Sequence, residues 1–347
     1  MITTRDALVS VLASIHGEDN LLRMPSGERL PALVRPPNSA DPEVLLGSLM
    51  PDLRAFPETS PELQRLQARS AKLWNGSTYV LRGFDATGRL TCATGHYFDA
   101  VTTCFELRAE ARYALSRFPA NPAAAWQAMP QRRALYAGRT QDELNDWLWR
   151  GEERSASLSI SCLFLVRTAD GWRYGVARRA ADLADEPGLN HVVPSMAFQP
   201  VSVQAESGYS ITDSVLRELA EELFSVPEGA DWRGLLAIAD LQAHLAEGKA
   251  QHCLTGLILN LEDLRPEILT LLWIPDPEWL PRFGGEIALC RNEYSAGQAG
   301  LQPFDEHWQT LPEAFCDGRG TLAGTACVAL GAAPARDLIL TYESLTP

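Results

Sequence analysis

Residues 158–166, Leu-Ser-Ile-Ser-Cys-Leu-Phe-Leu-Val, constrain the fold more than any other stretch. A strand with one wet face alternates apolar and polar side chains, and this one is apolar almost throughout. It therefore needs cover on both faces. Ala169-Asp170-Gly171 supplies a turn, and Trp172 to Arg178 returns as the hairpin partner. A sheet buried on both sides calls for helices above and below it. The fold class that follows is α/β, an α+β sandwich with a mixed sheet flanked by helices.

One covering layer has a composition of its own. Arg217-Glu218-Leu219-Ala220-Glu221-Glu222 reads as helix, with Val215, Leu216, Leu219 and Leu223 forming an apolar stripe at helical spacing. Glu218, Glu221 and Glu222 stand at i, i+3 and i+4 and so cluster on the other face. Neighbouring carboxylates repel, and a hard divalent cation removes that cost. The competing explanation is a solvated acidic face with an ordinary Arg217–Glu221 pair. Thr212 or Asp213 is the expected cap, and Pro227 bounds the helix beyond Phe224.

At 347 residues, two domains are the natural expectation: an N-terminal α+β domain over 1–150 and a second domain over 151–347. No run approaches about 18 apolar residues. The first residues lack the basic and apolar regions of a secretory signal. Seven cysteines, at 92, 104, 162, 253, 290, 316 and 327, form no CxxC pair or zinc spacing, which suggests reduced thiols and a cytoplasmic location. A net charge of −14 disfavours nucleic acid and anionic membranes as partners.

In the first half, Arg5–Ile15, Pro61–Trp74, Asp99–Ser116 and 121–127 read as helices, and 78–82 with 89–92 as a hairpin. Pro25–Pro61 reads as loop or extended chain, and 131–154 as a polar, mostly helical connector. In the second half, 191–194, 253–261, 268–274 and 286–290 read as strands, and a late helix starts over 322–330.

The Arg-Glu-Leu-Ala-Glu-Glu core resembles the box of the Nudix hydrolase family, and the order of hairpin, short strand ending at Pro194, loop, acidic helix and further strands is similar over about residues 155–345. The resemblance implies a Nudix-like fold in which Glu218, Glu221 and Glu222 are metal ligands and Arg217 orients them. It also departs from the family. Val203, Tyr209 and Phe224 stand where the box has Gly, Glu and Gly, although Gly208 aligns, and Ser195-Met196-Ala197 replaces a glycine pair. Gly95 to Asp99 and the helix carrying Glu106 and Glu110 resemble the N-terminal module of two-part actinobacterial Nudix-like proteins.

If the family chemistry holds, Mg²⁺ or Mn²⁺ would promote attack of water on the pyrophosphate of a nucleoside diphosphate linked to another moiety. Glu222, Glu221 and Arg217 would be the catalytic residues, with Glu286 or Glu293 as a further base. Phe198, Trp172 and Trp273 are candidates to lie against a base or sugar, although such residues are more often simply core. His96, His191 and His252 read as structural. The alternatives are a catalytically impaired nucleotide-binding, sensor or regulatory protein, and a scaffold whose halves build a homodimer surface.

Overall fold

A computed structural model describes residues 4–51, 54–69, 73–181, 183, 185–202, 204, 206–283, 294–305 and 311–345. Among these, nine strands build one mixed sheet and three build a second. The main path of the large sheet runs Leu21–Arg23, Arg29–Arg35, Gln251–Asn260, Arg265–Ile274, Ser159–Thr168, Gly171–Arg179 and Tyr294–Pro303. Asn190–Val192 pairs with Gly171–Arg179, and Ser195–Ala197 pairs with Ser159–Thr168. Arg265–Ile274 and Ser159–Thr168 run parallel, with Thr270 opposite Cys162. The sandwich expected from the apolar strand is present.

Alternation along that strand sorts the two faces. Ile160, Cys162, Phe164 and Val166 join the core that holds Ile211, Val215, Leu216 and Leu219 of the acidic helix. Leu163 and Leu165 join the core under the helix Leu322–Leu345, with Ala326, Cys327, Ala335 and Ile339. That last helix starts at Leu322, where the sequence has a late helix begin, and runs to Leu345. Its length and composition would allow it to cross a membrane. Here it packs one side on the sheet, as the core helix of a sandwich does.

The sheet runs across the 150/151 boundary. Arg29–Arg35, expected only as loop or extended chain, pairs with Gln251–Asn260 in a register that sets Leu33 opposite Leu259. The chain then crosses through a short 3₁₀ turn, Pro42–Leu45, into the second sheet, ordered Leu46–Pro51, Leu90–His96, Ser77–Phe84. Backbone bonds tie that sheet to the second half: Tyr79 N–H donates to Phe198 O, and Leu158 N–H donates to Tyr79 O.

The helix Pro130–Tyr136 and the turn that follows the helix Gln141–Leu148 grip a single turn of the large sheet, Leu261–Leu264. Arg132 donates to Leu261 O and Glu262 O, both at 2.7 Å, and Arg154 Nε donates to Leu264 O at 3.0 Å. The helix expected over Asp99–Ser116 begins at Tyr97 and contains a π-helical stretch, Val101–Phe105, before it continues as Glu106–Arg117. The helix from Pro61 is described as far as Arg69; residues 70–72 lie outside the described residues, and 73–74 are not helical. The helix Leu236–Ala246 was not foreseen, and the strand expected over 286–290 lies outside the described residues.

Candidate functional site

The acidic helix spans Ile211–Phe224, and its cap is Ser210 rather than Thr212 or Asp213. Ser210 sits in extended backbone, and its Oγ accepts from Asp213 N–H at 3.1 Å, so Thr212 and Asp213 fall inside the first turn. The helix stops at Ser225, which takes the left-handed conformation with φ 55°. Phe224 is still helical and sets its ring edge-on against Trp279 at 6.1 Å. The backbone therefore makes no demand for glycine at 224.

The expectation of one packed face and one face open to a cation is not met. Ten of the 14 residues are buried and the other four are half-buried, so the helix has no solvated face. The 3₁₀ turn Pro42–Leu45, the short strand Ser195–Ala197 and a second 3₁₀ turn, Trp232–Gly234, all pack on it. Glu222 is 1% exposed, and its Oε2 accepts from Ser195 N–H at 3.3 Å. Glu218 is 9% exposed, with Oε2 3.5 Å from Arg217 Nη2. Glu221 is half-buried. Arg217 is buried, and its Nε has no hydrogen-bond partner among the described residues.

A divalent cation needs several oxygens around one point. Among the described residues, no three His, Cys, Asp or Glu side chains come together closely enough to hold a metal ion. In this arrangement Glu222 is engaged by Ser195 N–H and Glu218 lies against Arg217.

Tyr209 belongs to an aromatic cluster. Its ring stacks on Phe198 at 5.7 Å and meets Tyr79 edge-on at 5.0 Å. Burial raises its phenol above the usual range, and burial likewise pushes the Cys92 thiol up to about 12. The preceding Gly208 has φ 91°, and a Cβ there would meet Val201 at 3.0 Å, so this glycine serves the turn into the cluster.

The remaining expectations scatter. Phe198 is core in that aromatic cluster. Trp172 and Trp273 stack on each other at 5.8 Å on the opposite face of the sheet, where strand alternation puts them. Val203, Glu286 and Glu293 lie outside the described residues. His96 donates its backbone N–H to Asp99 at the start of the helical stretch 97–117. His191 is buried beside its neighbour's carbonyl, and burial holds it down to about 3. His252 contacts Thr212 Oγ1 through Nδ1 at 3.0 Å.

The strongest electrostatics lie elsewhere, where the two halves meet. Asp185 accepts from Arg108 and from Arg265 Nη2, the latter at 2.8 Å. Asp263 accepts from Arg265 Nε at 3.0 Å and lies 3.6 Å from Arg108. The guanidinium groups of Arg108 and Arg265 lie over the Phe105 ring at 4.1 and 4.6 Å. Burial alone would raise Asp185, yet Arg108, Arg265 and Arg179 hold it well below the carboxylate range. Burial, helped by Asp185, pushes Glu186 up to about 7. Burial pushes Glu267 up to about 8 against its bond from Ser161 Oγ and the charge of Arg265. Nothing in local spacing marks these residues, because the sheet brings them together from three distant segments.

No protein-family model matches this chain, and no curated protein matches it significantly.

Proposed function

We propose that this protein is a Nudix-like binding module that recognises a nucleotide-derived small molecule without cleaving it, its acidic helix serving the core. Glu222 carries the reading: a carboxylate 1% exposed and engaged by Ser195 N–H is withdrawn from solvent into the core. The aromatic packing of Tyr209, where the resemblance calls for glutamate, supports it. The nucleotide is carried over from the resemblance alone.

A second reading, metal-dependent pyrophosphohydrolase, is favoured by the 3.5 Å Arg217–Glu218 contact, which brings together two residues the resemblance pairs. Thermal melts with Mn²⁺ or Mg²⁺ separate the two. A cation at 100 times its Kd would add about 2.7 kcal/mol of stability. The binding-module reading expects no such rise in wild type or in Glu222→Gln. It also expects no release of product from ADP-ribose, NAD, dinucleoside polyphosphates or nucleotide sugars, and binding of at least one of them. A Mn²⁺-dependent rise that Glu222→Gln abolishes, together with product release, establishes the hydrolase instead.

A further inference from the structure

The residues joining the two sheets meet the acidic helix at one carboxylate. Asp41 caps the 3₁₀ turn Pro42–Leu45, accepting from Glu43 N–H at 2.9 Å. Ala40 O accepts from Leu254 N–H at 2.7 Å, which fixes the turn to the edge of a large-sheet strand, and Leu45 anchors it in the core. From this platform Glu43 reaches the helix start 167 residues away: its Oε1 accepts from Ser210 Oγ at 3.2 Å and from Thr212 N–H at 2.6 Å.

The two caps divide the work. Ser210 Oγ satisfies Asp213 N–H, and Glu43 satisfies Thr212 N–H, so a carboxylate of the N-terminal half serves one of the amides that every helix leaves without an internal partner. Its charge also opposes the positive end of the helix dipole. Glu43 orients the Ser210 hydroxyl as well, because that hydroxyl donates to Glu43 while accepting from Asp213. Thr212 Oγ1 is held by His252 on the central sheet. The first turn of the helix is thus pinned between the segment joining the sheets and the large sheet.

We propose that Glu43 is the positioning residue through which the N-terminal half sets the acidic helix on the large sheet. This goes beyond the binding reading and stands whether or not the helix meets a ligand. It gives the first half a definite task at the candidate site, one that neither the Arg217–Glu222 core nor its flanks encode.

Amide hydrogen exchange on the full chain tests it. Glu43 is half-buried at the surface, so its replacement leaves the cores intact. Glu43→Ala is expected to speed exchange at Thr212 and Asp213 about tenfold, the scale of one lost cap bond. Exchange in Ser159–Thr168 should stay unchanged. Glu43→Gln keeps an acceptor oxygen and is expected to restore protection to within about threefold of wild type, the remainder being the lost charge–dipole attraction. Val44→Ser, at the exposed neighbour, is expected to change nothing. The proposal is overturned if Glu43→Ala leaves Thr212 protected, if Glu43→Gln exchanges as fast as Glu43→Ala, or if the central strand loosens in parallel.

Discussion

Asp263→Ala is expected to destabilise the protein by about 3–5 kcal/mol, the usual cost of breaking a buried ion pair from one side. Asp263 is 0% exposed, and Arg265 uses it twice, through Nε at 3.0 Å and through its own backbone N–H to Oδ1 at 3.1 Å. Arg108 approaches the same carboxylate at 3.6 Å from the helix Glu106–Arg117. Removing it leaves two guanidinium groups sharing Asp185, whose side chain is 22% exposed. Desolvated cations without enough anion are costly, and neither arginine can shed its proton to escape. The damage would spread beyond one pair, because Arg132 and Arg154 grip carbonyls of the same Leu261–Leu264 turn. Urea unfolding followed by tryptophan fluorescence should show a lower midpoint with an unchanged slope. A loss below about 1 kcal/mol would place Asp263 among weak surface-like pairs and remove this cluster as the joint between the halves. A double-mutant cycle with Arg108→Ala then separates the pair's coupling from general loss of packing.

This joint shows why the sequence was informative about layers and silent about connections. The strand at 158–166 announced burial on both faces, since seven apolar residues in nine leave no wet face, and the sandwich followed. The helix at 211–224 was legible from its periodicity, but its environment was not. An amphipathic pattern states what one face needs and not what covers the other. Here the turn at Pro42–Leu45 and the strand at Ser195–Ala197 close around it, so Glu218 and Glu222, which read as facing away from the core, are buried and Glu221 is half-buried.

Glu43, Asp185 and Asp263 had no local signal at all. A carboxylate that caps a helix from 169 residues away, or an aspartate held by two arginines from different segments, acquires its role only when the sheet registers are fixed. Tyr209 departs from the motif, and its partners Tyr79 and Phe198 come from opposite sides of the 150/151 boundary. The meaning of that departure, an aromatic lock between the small sheet and the entry to the helix, depends on contacts between the halves.

Stability is expected to fall by about 2 kcal/mol as pH rises from 6.5 to 8, and Glu267→Gln is expected to remove most of that slope. Glu267 and Glu186 are raised in the fold, to about 8 and about 7, from an ordinary 4.5. The folded protein therefore holds two protons that the unfolded chain releases near pH 4.5. Their contribution is fully present below that pH and is lost as pH rises through 7 and 8. The buried histidines act in the opposite sense on the acid side. His16 and His252 are lowered to about 4 by burial and His191 to about 3, so their contribution is lost as pH falls below 6.5. Asp185, held low by three arginines, also loses its contribution only in acid. The buried thiols are raised from an ordinary 9, so their effect begins at more alkaline pH. That leaves pH 6.5 to 8 as the window in which the two glutamates act largely alone. Ionising Glu267 there puts a new charge beside Glu186 and Asp185, with only Arg265 and the Ser161 hydroxyl to favour it. Glu267→Gln preserves the oxygen that accepts from Ser161 and cannot ionise, so it should match wild type only below about pH 4.5 and exceed it by a margin that widens from pH 6.5 to 8.5. Urea midpoints across that range measure the effect. A wild-type profile flat between pH 6.5 and 8, or a Glu267→Gln profile as steep as wild type, would show that these carboxyls ionise without cost and that the cluster is open to water.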